Sequence, residues 1–126
     1  PVSFCFYNTS GTSEIVADKL LFQQAMINVI DNAIKYSVKE VAITIDCMVT
    51  GQYFQIRCAD NGEGISATSL PYIFEKFYRE PKNKHAVKGY GLGLNYAQQI
   101  MKAHNGLIEI KSVKGKGTEV MLSWPL

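Results

Sequence analysis

Gly89-Tyr90-Gly91-Leu92-Gly93-Leu94 runs straight into the helix-like Asn95-Tyr96-Ala97-Gln98-Gln99-Ile100-Met101-Lys102-Ala103-His104. Glycines that open a helix make an anion site. Without Cβ atoms the backbone approaches a bound group closely, and the free N–H groups of the first turn point at it with the positive end of the helix dipole behind them. Phosphate is the expected guest. The pattern is not the dinucleotide fingerprint, because Leu94 stands where its third glycine belongs and residues 82–88 do not read as a strand. No Gly-Lys-Ser/Thr follows, so it is not a P-loop. A flexible loop ending at a helix start would account for the same residues, and the rest of the chain decides between the two.

Working outward, 126 residues at 47% hydrophobic give one ordinary domain, 1–126, able to bury a single core. A net charge of +2 is too small to argue for nucleic acid or an anionic membrane surface as partner. No apolar run reaches the roughly 18 residues needed to span a bilayer. Cys5, Cys47 and Cys58 sit singly in apolar, strand-like surroundings, which suits buried free thiols in a reducing compartment, read as cytoplasm, better than disulfides or a zinc site. With no signal peptide and an opening at Pro1 rather than Met, the chain is expected to be a segment of something longer.

Residues 2–7 read as a strand closed by the turn Asn8-Thr9-Ser10-Gly11. Asp18 is the expected N-cap of the longest helix, whose apolar residues recur at helical spacing over 20–36. Residues 41–49 and 53–59 form a hairpin across Thr50-Gly51-Gln52, and 107–113 with 119–124 a second one around Lys114-Gly115-Lys116-Gly117-Thr118. Between them come a turn-rich stretch, 60–68, a short aromatic helix, 69–79, a polar basic stretch, 80–88, and the glycine-opened helix, with Gly106 as its C-terminal cap. Helices and hairpins mix as α+β, with helices on one face of a sheet.

The long helix carries amides where a solvent face would carry charges. Gln24, Asn28, Asp31, Asn32 and Lys35 fall in one stripe, while Phe22, Ala25, Met26, Val29, Ile30, Ala33 and Ile34 cover the remainder, which predicts a mostly buried helix with a narrow polar seam. Solvated faces favour Lys and Glu, and Asn is a poor helix former, so two asparagines four apart ask for another reason. An amide carbonyl is a neutral hard oxygen suited to Mg²⁺, and Lys35 one turn on would neutralise phosphate charge. Asp60-Asn61-Gly62-Glu63-Gly64 follows an apolar strand. A tight turn explains its glycines, but Asp60 at a strand end needs a donor partner, which a purine amine would supply.

With these elements in this order the chain resembles the catalytic, ATP-binding domain of two-component sensor histidine kinases, within the wider superfamily that includes the gyrase B subunit, a heat-shock chaperone and a mismatch-repair protein. Asn28-x-x-x-Asn32-Ala33-x-Lys35-Tyr36-Ser37 resembles the N box and Asp60-x-Gly62-x-Gly64 the first glycine box. Phe74-x-x-Phe77-Tyr78-Arg79 is similar to the F box, Gly89-x-Gly91-Leu92-Gly93-Leu94 to the second glycine box, and Gly115-x-Gly117-Thr118 to the last. Each box is weak alone; five in order at sensible spacing are specific.

The resemblance implies a two-layer α/β sandwich, a mixed sheet of about five strands against three helices, with ATP between the long helix and a mobile lid. It implies that Asp60 binds the adenine amine with Thr118 nearby through water, that Asn32, helped by Asn28, holds Mg²⁺, and that Lys35 and Tyr36 face phosphates or sugar. Gly62 and Gly64 with Ile65, and Gly89, Gly91 and Gly93 with Tyr90, Leu92 and Leu94, would line the nucleotide, and Arg79 or a lid lysine would steady the γ-phosphate. Phe74 and Phe77 are expected to pack, and Arg79, Lys82, Lys84 and Lys88 also read as an ordinary solvated run.

In the gyrase-like relatives a glutamate four before the metal asparagine activates water; here that position is Asn28, which takes no proton at neutral pH. The implied activity is therefore transfer of the γ-phosphoryl group to a histidine on a separate helical dimerisation domain, and through it to a response regulator, within a membrane-tethered parent. Neither His85, in the lid, nor His104, read as a cation at a helix C-terminus, fits the acceptor role. The rival readings are a nucleotide-binding regulator of the anti-sigma-factor kinase kind and a gyrase-like ATPase.

Overall fold

Alternating burial writes the sheet. The computed structural model describes residues 2–11, 15–35, 40–75 and 93–126. In chain order these form β1 (Val2–Asn8), α1 (Lys19–Lys35), β2 (Val41–Thr50), β3 (Tyr53–Asp60), one 3₁₀ turn (Leu70–Tyr72), α2 (Gly93–Ala103), β4 (Leu107–Val113) and β5 (Gly117–Pro125). Buried residues alternate along β2 and β3, Val41, Ile43, Ile45 and Cys47 on one strand and Phe54, Ile56 and Cys58 on its neighbour. That period of two turns one side of each strand to the core.

The five strands make one sheet in the order β1-β2-β3-β5-β4. The two hairpins read from the sequence supply β2 against β3 and β4 against β5, both antiparallel, and β3 joins them by pairing antiparallel with β5. β1 lies parallel to β2, so α1 is the crossover between them. The sheet is mixed and the class is α+β, as expected. Ala25, Val29 and Ala33 of α1 and Leu94, Ala97, Ile100 and Met101 of α2 join the inward faces of β2, β3 and β5 in one core. Phe22 tilts against Trp124, the only tryptophan, with ring centroids 5.1 Å apart.

Helix termini follow local chemistry. Asp18 caps α1 as expected, its Oδ1 accepting from the Leu21 N–H at 3.0 Å. α2 ends in a Schellman motif in which Gly106 N–H reaches the Met101 carbonyl at 2.8 Å and Asn105 N–H the Lys102 carbonyl at 3.0 Å. The left-handed position is taken by Asn105, at φ 57°, rather than by Gly106. Gly106 is required one residue later because a Cβ there would collide with the Ser123 carbonyl.

Three expectations are corrected. α1 is not mostly buried: Ala25, Val29 and Ala33 are, but Ile34, Ile27 and Leu20 are exposed. An apolar residue three-quarters of the way round a helix meets no layer when only one side packs. The stretch 69–79 yields a 3₁₀ turn with Pro71 near its start instead of a regular helix, and its residues from 76 on lie outside the described ones. Among the described residues there are thus two α-helices. His104 does not act as a helix-end cation either. Its Nε2 accepts the Asp18 backbone N–H at 3.1 Å while Nδ1 lies 2.9 Å from the Ile100 carbonyl, so Nδ1 carries the proton and the ring is neutral.

Cys47 and Cys58 are buried free thiols, as expected; the Cys5 side chain lies outside the described ones. Burial raises both thiols, and Cys58, with the Asp60 charge adding to burial and Arg57 opposing it, is pushed up to about 11.

Candidate functional site

A polar row crosses the inward side of the sheet where the apolar core stops. Asp60 on β3 pairs with Thr118 on β5, and Thr118 with Ser112 on β4. β5 starts at Gly117, so Thr118 lies within a strand rather than in the turn before it, as the sequence suggested. Inward positions on β4 run Ile108, Ile110, Ser112 and on β5 Trp124, Leu122, Val120, Thr118, apolar until their shared last register.

Asp60 Oδ1 accepts two backbone donors, Gly62 N–H at 2.8 Å and Thr118 N–H at 3.3 Å. Burial raises its carboxyl above the usual range, and these two bonds pull it back. Oδ2 has no hydrogen-bond partner among the described residues, so the carboxylate keeps one acceptor oxygen to spare. Thr118 is buried at 8% exposure. Its hydroxyl lies 2.8 Å from Ser112 Oγ, which also accepts the Ile65 N–H at 2.7 Å and donates to the Gly117 carbonyl at 3.0 Å.

The glycine boxes on either side interlock. Gly64, at φ +77°, sits where a Cβ would strike the Val113 carbonyl, and Gly117, at φ +126°, where one would strike the Asp60 carbonyl. Only glycine permits both the conformation and the approach. The turn 114–116 clamps the first box, Gly115 N–H to the Glu63 carbonyl at 2.7 Å and Lys114 Nζ to Glu63 Oε1 at 3.6 Å. Asn61 fastens the same loop to β2, accepting the Ala42 N–H at 2.8 Å.

The amide seam of α1 is present and half-buried at Gln24, Asn28 and Asn32. Gln24 Nε2 donates to Asn28 Oδ1 at 3.0 Å, and Asn28 Nδ2 is buried without a partner. An orphaned buried donor carries a cost that a ligand acceptor removes. Asn32 is bound by nothing among the described residues and keeps a neutral oxygen for a hard cation. Lys35 is exposed and pairs with Asp31 at 3.1 Å. α2 begins at Gly93, whose α-carbon faces the Asn28 carbonyl, so the last glycine of the second box abuts the N box. Asn95 Nδ2 holds the Phe74 carbonyl at 2.9 Å, and Phe74 packs on the core as expected.

The described residues thus assemble two groups. One is Asp60, Gly62, Gly64, Thr118 and the Ile65 backbone; the other is Asn28, Asn32 and Gly93. The side chains of Ile65 and Leu94 are in the core, so neither side chain faces a ligand, and the Ile65 N–H is already given to Ser112. Tyr36, Phe77, Arg79, Lys82, Lys84, His85, Lys88, Gly89, Tyr90, Gly91 and Leu92 lie outside the described residues. Sequence reasoning missed Ser112, whose signal was a lone hydroxyl ending the inward Ile108-Ile110 pattern, and Asn61, read only as a turn residue.

Residues 17–126 match the family model described as histidine kinase-, DNA gyrase B- and HSP90-like ATPase. The chain belongs to that family. Sensor protein RprX of Bacteroides fragilis is 34% identical over 123 residues, 94% of this chain and 24% of that protein. Sensor protein CiaH of Streptococcus pneumoniae is 40% identical over 105 residues, 82% of this chain and 24% of that protein. The chain therefore spans about a quarter of the length of these relatives. The catalytic domain of histidine kinase ThkA shares the fold, with a TM-score of 0.82 at 24% identity over 98% of this chain and 80% of that one.

Proposed function

We propose that this domain holds Mg²⁺-ATP and gives the γ-phosphoryl group to a histidine on a separate helical dimerisation domain of its parent, from which a response regulator takes it. The observation that carries the reading is Asp60, a half-buried carboxylate anchored by two backbone donors on one oxygen and open on the other, at the edge of a pocket interlocked by glycines. Such a group accepts an adenine amine. Asn32, with Asn28 beside it, would hold Mg²⁺, and Asn32 fits through its neutral side-chain oxygen; Asn28 Oδ1 already accepts from Gln24, so its orphaned Nδ2 donor suits a phosphate oxygen rather than the metal. Bound there, the metal would neutralise phosphate charge. Lys35 would exchange Asp31 for a phosphate oxygen, a cheap exchange for an exposed pair. Gly89, Gly91 and Gly93 would wrap the phosphate tail, with Arg79 on the γ-phosphate.

Neither asparagine of the seam is a base, and Asp31, its carboxylate, is exposed and paired with Lys35. Asn28 cannot deprotonate water, whereas phosphoryl transfer needs mainly positioning and charge neutralisation, so a kinase is favoured over an ATPase. No helix among the described residues is long and apolar enough to cross a membrane. The likeness to sensor proteins supports a place for the domain on the cytoplasmic side of a membrane-tethered parent. The test is incubation with γ-labelled ATP, alone and with the histidine-bearing helical domain. Acid-labile label on that domain, and none on the lone chain, is expected. Label on the lone chain, or brisk phosphate release from it, would overturn the reading.

A further inference from the structure

The proton inventory of the polar row leads past the choice of ATP to the question of how the pocket would reject other purines. Ser112 Oγ has one proton and two lone pairs. The Gly117 carbonyl can only accept, so Ser112 spends its proton there, at 3.0 Å. The Ile65 N–H takes one lone pair at 2.7 Å. The remaining contact, 2.8 Å to Thr118 Oγ1, is left with no proton from Ser112 and must take the one on Thr118. The Thr118 hydroxyl is thereby turned away from the pocket and shows it lone pairs only.

We propose that Ser112 is the positioning residue that makes this pocket select a 6-amino purine over a 6-oxo purine, by holding the Thr118 hydroxyl as an acceptor. The proposal rests on Asp60 and Thr118 forming the base pocket. Asp60 Oδ2 is an acceptor as well, so the pocket floor presents two acceptors side by side on paired strand positions. A water lodged between them would spend its two protons on Asp60 and Thr118 and again turn lone pairs to the base. An amine donates to such a floor, while a 6-oxo group meets acceptor with acceptor, and a site left with mispaired polar groups discriminates strongly. Remove the Ser112 hydroxyl and Thr118 regains a free rotor, able to donate to a 6-oxo group. Ser112 reaches the base pocket only through the Thr118 hydroxyl and the Ile65 N–H, so its part in selection is not a local feature of the sequence.

The test measures the affinities of ATP and inosine triphosphate for the wild type, Ser112→Ala and Ser112→Thr by calorimetry, well below each variant's unfolding temperature. The wild type is expected to prefer ATP. In Ser112→Ala the ATP-to-ITP affinity ratio should fall by on the order of fivefold, the scale of one hydrogen bond, with Asp60 maintaining a residual preference. Ser112→Thr, which keeps the hydroxyl, should restore the ratio. A purely structural role, through the stranded Ile65 N–H, would weaken both nucleotides equally, and an unchanged ratio in Ser112→Ala would therefore overturn the proposal while leaving the pocket intact. Wild-type protein that binds both nucleotides alike, or neither, would overturn the pocket assignment itself and the proposal with it.

Discussion

Asp60 is pulled two ways at the scale of a single residue. Burial favours its neutral form, and the Gly62 and Thr118 N–H groups favour the carboxylate, with burial the larger influence. Because the folded value is raised, this group favours the fold most at low pH, and that contribution is lost as pH rises through the raised value. Ligand affinity runs the other way, since only the carboxylate is a strong acceptor. ATP binding should thus weaken on acidification at a pH above the ordinary carboxylate range. Asp60→Asn keeps an oxygen for both backbone donors and removes a buried charge, so thermal stability at neutral pH should hold or rise slightly. ATP affinity should fall by about 10–100-fold, roughly 1–3 kcal/mol, as an amide N–H₂ turns to face the adenine amine. Unchanged calorimetric affinity would remove Asp60 from the site. The acid at a strand end was legible in the sequence as a residue needing a donor, whereas its two backbone anchors depend on a strand register that no local pattern reports.

Between elements, the start of α1 is tied to the end of α2 through Asp18 and a neutral His104. The cap was legible because capping is local chemistry. The histidine was not, because its partner lies 86 positions away in the chain. Asp18→Ala should cost about 1 kcal/mol, the usual worth of an N-cap. His104→Lys separates the two accounts of that position: a helix-dipole cation would be retained, but lysine offers no acceptor to the Asp18 N–H, and a loss of about 0.5–1 kcal/mol is expected. Urea unfolding followed by the fluorescence of Trp124 measures both. Stability equal to wild type in His104→Lys would restore the cation reading. Hairpins were legible from alternation and their glycine turns, while the parallel partner of β1 was not, since a crossover leaves no mark on either strand. The burial of α1 was overread, because apolar count fixes how much surface a helix would bury and the number of layers fixes how much it does.

Over the whole molecule, the sheet has a helical side that carries the polar row and an outer side braced by ion pairs. On the outer side Arg57 reaches Asp46 at 2.9 Å and Glu119 at 2.7 Å, crossing three strands. The glycine and asparagine boxes marked the inner side because their spacing is a property of the chain, and the ion pairs stayed hidden because they are a property of the strand order. The two sides make the central claim separable. It is that nucleotide lies on the helical side, between the Asp60-Thr118-Ser112 row and the Asn28-Asn32 seam. The most direct measurement is amide chemical-shift mapping of the chain titrated with ATP and Mg²⁺. The account predicts perturbations concentrated at residues 60–65, 112–118 and 28–35 and at the first turn of α2, with Gln55, Glu109 and Met121 on the outer side unmoved. Shifts centred on the outer side, or none at millimolar ATP, would contradict it.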